Sequence, residues 1–140
     1  MKRTDLAYTA GIIDGEGSIG ILPNSQHKSY CLRVEVGSTD EWLPMWLKFA
    51  WGGYVYRAER KLPRQTCWLW YISSRQAAEF LTLILPYLKL KREQAQIALR
   101  FQSRRRGYGG KQKPKGEFVL DQADAILIKS MHQRKGIQKD

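Results

Sequence analysis

A nine-residue run, TAGIIDGEG from Thr9 to Gly17, constrains the fold of this chain more than any other feature. Apolar residues recur at helical spacing up to its acids: Leu6, Ala10 and Ile13. Two carboxylates, Asp14 and Glu16, then stand between glycines, and the alternation of polar and apolar residues that follows is typical of a strand. The run predicts a helix that ends at acidic side chains and passes into a strand. Such a junction can present a metal-binding oxygen at a packed seam; the simpler interpretation is a junction with two solvated acids.

The run resembles the signature motif of the LAGLIDADG homing endonucleases, with a threonine in place of the leading leucine and a glutamate in place of the more usual last aspartate. In that family the motif helices of two half-domains pack against each other, and the last acid of each motif binds divalent metal at the scissile phosphates. The resemblance implies that Glu16 is the catalytic, metal-binding acid and that the backbone carbonyl of Gly15 is a further ligand. It also implies Mg²⁺ or Mn²⁺ as the cofactor.

The chain has 140 residues and a single copy of the motif, so one chain supplies only half of a two-motif active site. The resemblance therefore implies a homodimer in which two motif helices meet. Four positions along the motif helix are predicted at this dimer interface: Ala7, Ala10, Gly11 and Asp14.

The charge balance indicates a polyanionic partner. Lys and Arg total 24 against 13 Asp and Glu, which gives a formal net charge of +11 and a pI near 9.9. No long apolar run or basic amphipathic segment favours a membrane, and the N-terminus lacks the apolar stretch of a signal peptide, so an intracellular protein is expected. Two cysteines and two histidines predict no zinc cluster. Any catalytic metal is therefore expected to be bound by oxygen.

The coarse order of predicted elements is α-β-β-α-β-β-α-α over residues 1–104. A LAGLIDADG half-domain has this order, so the resemblance implies an α+β fold with a four-stranded antiparallel sheet. Alternation predicts which side of two strands faces the core: Tyr30, Leu32, Val34 and Val36 in the second strand, and Trp68, Trp70 and Ile72 in the fourth. Residues 105–140 are predicted to complete the same single domain as a basic, Gly-rich loop, a short helix from about Leu120 to Met131, and an unanchored tail.

A second segment, PYLKLKREQA from Pro86 to Ala95, resembles the family's run of proline, apolar residues and lysines before the late helix, in which one lysine reaches into the active site. The resemblance places that lysine at Lys91, where it would stabilise charge on a phosphate or polarise the attacking water. A solvated surface lysine is the simpler alternative. A polar residue that some members use near the scissile phosphate falls at Gly37, or at Ser38 if the register slips. Glycine cannot replace that side chain.

The sheet is predicted to contact DNA, because a curved antiparallel surface can follow a major groove and offer alternating side chains to base edges. Arginine can pair with guanine through two hydrogen bonds, and Gln or Asn can pair with adenine in the same way. The predicted DNA-contacting residues lie on the first turn or on the side of the strands away from the core: Ser18, Gln26, Lys28, Arg33, Glu35, Tyr56, Arg60, Gln65 and Tyr71.

These features predict a site-specific endonuclease that cuts both strands of a long, pseudo-palindromic DNA target by divalent-metal-dependent phosphodiester hydrolysis. The resemblance favours an enzyme encoded by a mobile intron. The first alternative is an intron maturase, which would use the same positive surface to bind structured intron RNA without cutting DNA. The second is a transcription regulator with the same fold, although the residues after Arg104 are few and Gly-rich for a separate helix-turn-helix module.

Overall fold

The computed structural model describes residues 2–25, 29–59, 66–105 and 115–137, with the side chains of 116–132 in the last of these ranges. Its elements follow the predicted α-β-β-α-β-β-α-α order and confirm the α+β fold. Their bounds are α1 (Arg3–Glu16), β1 (Gly17–Pro23), β2 (Tyr30–Ser38), α2 (Trp42–Trp51), β3 (Tyr54–Ala58), β4 (Cys67–Ser73), α3 (Ser74–Ile84), α4 (Arg92–Ser103) and α5 (Lys115–Ile137). A short 3-10 turn at Leu85–Tyr87 joins α3 to the segment before α4.

The four strands form one antiparallel sheet in the order β1-β2-β4-β3. The register pairs Ile19 with Val34, and Val36 with Trp70, so apolar side chains from three strands meet on one face. This face is buried, as the alternation predicts: Leu32, Val34, Val36, Trp70 and Ile72 are fully or almost fully covered. Trp68, predicted on the same side, is only partly buried because it lies toward the end of β4.

Helices α1, α3 and α4 contribute their apolar faces to the same core, through residues such as Ile13, Phe80 and Phe101. Thr9, which stands at the leading-leucine position of the motif, is also fully buried. Its hydroxyl donates to the Asp5 carbonyl at 2.7 Å, which satisfies the buried polar group within its own helix. None of the helices in the described part of the chain is long and apolar enough to cross a membrane.

The C-terminal helix is longer than predicted. It spans 23 residues and continues to Ile137, through most of the segment predicted as an unanchored tail. The face that α5 buries against the domain includes Asp121 and Asp124 as well as apolar residues, so its apolar periodicity is weak in the sequence. The predicted Gly-rich loop falls largely on residues 106–114, outside the described residues.

An ion-pair network attaches α5 to the end of α4. The guanidinium of Arg104 donates to Asp121 at 2.9 Å and to Asp124 at 2.6 Å, and Arg100 also pairs with Asp124. Burial lowers the pKa of Arg104, but its hydrogen bonds to Asp124 and Asp121 outweigh this effect and raise the pKa overall. The cation therefore stays charged, and both buried carboxylates have a positive partner.

Candidate active site and nucleic-acid interface

The junction between α1 and β1 has no loop, because the helix ends at Glu16 and the strand begins at Gly17. The Gly17 N–H donates to the carbonyls of Ile12 and Ile13. A Cβ atom at Gly17 would lie 2.8 Å from the Cα of Ile13 and 2.9 Å from its carbonyl oxygen, which is closer than real Cβ atoms approach backbone. Only glycine fits this close passage, which fixes the direction in which Glu16 leaves the helix.

The two acids of the motif have different surroundings. The carboxylate of Asp14 accepts hydrogen bonds from the backbone N–H groups of Lys89, at 2.9 Å, and Lys91, at 3.0 Å. Glu16 is exposed, and within the described residues its carboxylate has no hydrogen bond or ion pair. Asp14 therefore ties the segment before α4 to the end of α1, and Glu16 is left available to an external ligand.

Lys91 is buried behind this junction, with 5 % of its surface exposed. Its Nζ donates to the carbonyls of Ile13 at 2.8 Å, Asp14 at 3.2 Å and Gly17 at 2.6 Å. The carbonyls at the end of a helix lack intrahelical partners and carry partial negative charge, so a buried cation there is stabilising. The structure thus places the predicted catalytic lysine at the C-terminal end of α1, next to the backbone that carries Glu16; its action on a phosphate stays a prediction.

The donor set at this end of α1 suits a hard cation such as Mg²⁺, but it is small. It consists of the exposed Glu16 carboxylate and the neighbouring Gly15 carbonyl, and no group of three or more His, Cys, Asp or Glu that could hold a metal occurs among the described residues. Mg²⁺ is bound by few carboxylates and keeps several waters. Among the described residues, one chain therefore offers only this small donor set.

The polar residue that the resemblance leads one to expect near Gly37 is replaced by packing. A Cβ at Gly37 would lie 3.1 Å from Cδ2 of Leu69 and 3.3 Å from Sγ of Cys67. Side chains of β4 therefore occupy the space that a larger residue at this position would need. The neighbouring Ser38 hydroxyl accepts a hydrogen bond from the Asp40 N–H at 3.0 Å.

One side of α1 is open. Ala7, Gly11 and Gly15 are exposed at intervals of four residues, and a Cβ added at either glycine would meet nothing within 4 Å. Ala10 is a correction to the predicted interface. It is fully buried in the chain's own core, because it shares the inward face of α1 with Ile13. Asp14 is partly buried and is held by the contacts described above.

The side of the sheet away from the core carries polar and aromatic side chains. Arg33 forms an ion pair with Glu35 at 3.0 Å, and its guanidinium lies 4.0 Å from the centre of the Tyr71 ring. Tyr54 stacks on Tyr71 with ring centres 5.3 Å apart, and Tyr56 meets the same ring edge-on at 5.9 Å. We call this surface the outer sheet face; its polar and aromatic members include Ser18, Arg33, Glu35, Tyr54, Tyr56 and Tyr71.

Five of the predicted DNA-contacting residues thus share one surface: Ser18, Arg33, Glu35, Tyr56 and Tyr71. The other four lie outside the described residues: Gln26, Lys28, Arg60 and Gln65. Tyr54 was not among the predicted residues, although its alternation with Tyr56 in β3 could have identified it. Base contacts by all of these residues stay predictions.

Helix α5 borders the outer sheet face along β1, which the sequence did not predict. A groove of about 430 Å³ lies between the two elements, with Arg33 and Glu35 on the sheet side and Lys129 and His132 on the helix side. The border therefore carries basic side chains beside the polar surface of the sheet.

No protein-family model matches the chain, and no curated protein matches it in sequence. Solved structures do match its fold. The homing endonuclease I-CvuI, in complex with the I-CreI target in the presence of Mg, is 18% identical with a TM-score of 0.73, over 92% of this chain and 82% of that one. The archaeal intron-encoded homing endonuclease I-Vdi141I, complexed with DNA, is 13% identical with a TM-score of 0.73, over 91% and 84%. The homing endonuclease I-TnaI is 15% identical with a TM-score of 0.60, over 92% and 96%.

Proposed function

We propose that this chain, which has the fold of the LAGLIDADG homing endonucleases, is a homodimeric, site-specific double-stranded DNA endonuclease. One observation carries the proposal. Of the two motif acids, the one that matches the family's metal-binding acid, Glu16, is exposed at a glycine-fixed helix end, whereas Asp14 is used within the fold. The exposed acid lies at the end of the open side of α1, where a second copy would add a second carboxylate.

The substrate is proposed from charge and from the outer sheet face. A formal net charge of +11 favours a polyanion, and the sheet presents hydrogen-bonding and aromatic groups on one continuous surface. I-Vdi141I, which is similar in fold, is complexed with DNA and is intron-encoded. A two-fold dimer would read a long, pseudo-palindromic target, since symmetric subunits contact symmetric half-sites. We also propose that an intron encodes the chain.

The proposed cofactor is Mg²⁺, with Mn²⁺ as a substitute; the similar I-CvuI was studied in the presence of Mg and of Ca. Glu16 of each copy would hold the metal together with the Gly15 carbonyl. When bound, a divalent metal activates water and stabilises the leaving oxygen of a phosphodiester. The chain's own residues keep the carboxylate in place: Gly17 allows the tight turn, Lys91 holds the last carbonyls of α1, and Asp14 fixes the segment that carries Lys91.

The proposal is tested by incubating the protein with a randomised duplex DNA library, with Mg²⁺ or with EDTA, and sequencing the cut ends. We expect Mg²⁺-dependent double-strand cutting at a pseudo-palindromic sequence. Specific duplex binding without cutting in any divalent metal would contradict the endonuclease and favour a regulator. Competition by structured intron RNA, with no specific duplex binding, would favour a maturase.

The open side of α1 gives a paired prediction about the dimer. Gly11→Leu should leave the fold intact and convert the dimer to a monomer, because the added side chain has open space in the chain but not between two closely packed helices. Ala10→Leu should instead destabilise the fold by about 1–3 kcal/mol, because it overpacks a fully buried position. Sedimentation velocity and urea unfolding distinguish the two effects. A Gly11→Leu variant that stays dimeric would place the seam elsewhere.

A further inference from the structure

Helix α2 exposes a large apolar surface that the chain's own core does not explain. Trp42, Met45 and Phe49 are 59%, 44% and 89% exposed, and Trp46 beside them is partly buried. Their spacing of three and four residues puts all four on one side of the helix. The opposite side contributes Leu47 to the core. We call the four exposed and half-exposed residues the α2 aromatic surface.

The α2 aromatic surface is continuous with the open side of α1. Tyr8, next to Ala7 on α1, is half exposed and meets the Trp46 ring edge-on with centres 5.3 Å apart. Trp46 in turn stacks on Trp42, with ring centres 6.2 Å apart and an interplanar angle of 15°. The open side of α1 and the α2 aromatic surface therefore meet at the contact between Tyr8 and Trp46.

A stable interface needs a larger contact area than α1 alone can supply. With 14 residues, α1 is about 21 Å long and about 10 Å wide, so its open side covers only on the order of 200–400 Å². A standard protein interface buries about 800 Å² on each partner. A covered aromatic side chain buries about 150–250 Å², so covering Trp42 and Phe49 would supply a large part of the difference.

We propose that the α2 aromatic surface is the outer part of the same two-fold interface, so that α1 and α2 of one copy together contact a second copy of this chain. The inference rests on the proposed homodimer and deepens it. It also bears on the site, since one chain carries only one exposed motif carboxylate and the second copy is needed to bring another.

Nucleic acid fits this surface less well than a second copy does. The exposed members are aromatic or aliphatic and carry no charge, whereas DNA contacts are made mainly by cationic and hydrogen-bonding groups. The surface also lies on the helical side of the sheet: α2 packs against β2 and β4, and its Leu47 belongs to the same core as the inner-face residue Trp70. An apolar, aromatic-rich centre is typical of protein interfaces.

The test compares Phe49→Ser, and the double variant Trp42→Ser with Phe49→Ser, with the full-length wild type by sedimentation equilibrium over a range of concentrations. Val119→Ser is the matched control: Val119 is 60% exposed, similar to Trp42, but lies on α5. We expect the dissociation constant of the dimer to rise about tenfold or more for Phe49→Ser and further for the double variant. The control should match the wild type, and far-UV circular dichroism should show all variants folded.

The outcomes separate this inference from the proposed homodimer. If both α2 variants dimerise like the wild type while Gly11→Leu is monomeric, the α2 aromatic surface is not part of the interface and the inference is wrong, although the homodimer stands. If the wild type is monomeric at every concentration, with and without target DNA, both the inference about α2 and the proposed homodimer are wrong. A loss of dimer caused equally by Val119→Ser would also overturn the inference, because the effect would not be specific to α2.

Discussion

We expect Glu16→Gln to abolish cleavage of the target while changing the affinity for that DNA by less than about threefold. The substitution removes the negative charge that a divalent metal needs but keeps the size of an exposed side chain. Substituting a group that only orients a metal ligand typically lowers metal affinity or activity by about 10–100-fold. Loss of the charge of the ligand itself should therefore lower the cleavage rate by more than about 100-fold. Single-turnover kinetics measure the cleavage rate and equilibrium binding measures the affinity, both with the same target DNA.

Asp14→Asn is the matched control for that experiment, because it makes the same chemical change two residues earlier. The Asp14 carboxylate accepts hydrogen bonds from two backbone N–H groups, so its substitution should lower the free energy of unfolding by about 1–3 kcal/mol. Its effect should follow stability: cleavage should recover at low temperature, where the fold is retained. Normal cleavage by Glu16→Gln, or an equally complete loss of cleavage in a fully folded Asp14→Asn variant, would show that the two acids have been assigned the wrong roles.

Lys91→Met should lower the free energy of unfolding by about 2–4 kcal/mol and slow cleavage more than it weakens DNA binding. The substitution leaves the carbonyls of Ile13, Asp14 and Gly17 without a charged donor in a buried place. Because these carbonyls belong to the backbone that carries Glu16, the metal site should also require more Mg²⁺ for half-maximal cleavage. Urea unfolding and Mg²⁺ titration of the cleavage rate measure these effects.

Lys89→Met separates this structural role from a general loss of positive charge. Lys89 is exposed, two residues away, and only its backbone N–H contacts Asp14. Its substitution should change stability by no more than about 0.5 kcal/mol. A Lys91→Met variant with wild-type stability and a wild-type Mg²⁺ requirement, but a much lower maximal cleavage rate, would instead show that the ammonium group acts directly on the phosphate.

Periodicity predicted much of the fold because most of it depends on local patterns. The alternation in β2 and β4 identified the buried side of the sheet, including Val34 and Trp70. Small residues were less informative, since a helix can turn them toward its own core or toward a partner. Ala10 faces the chain's own core, whereas Gly11 leaves an open surface to which a partner could bind. The length of α5 escaped prediction because its buried side includes aspartates whose arginine partners lie at or just beyond the end of α4.

The candidate site could be predicted as a set of residues but not as an arrangement. The resemblance selects Glu16 over Asp14, but the sequence does not show that Asp14 accepts hydrogen bonds from the backbone of the segment before α4. The same holds for Lys91: the resemblance implied a side chain near the site, but not that it contacts helix carbonyls. Such contacts join residues far apart in the chain, where local periodicity carries no information.

The contact between Lys91 and the end of α1 also sets the order in which the chain can become functional during synthesis. Lys91 Nζ and the Ile13 carbonyl are 78 residues apart in the sequence. A nascent chain that has not reached α4 can form the motif helix only without the cation that stabilises its end, and contacts of such long separation are slow to form. Under the proposed function, a copy whose synthesis stops before Lys91 would carry a motif helix without this cation at its end, so the backbone that carries Glu16 would be less firmly held.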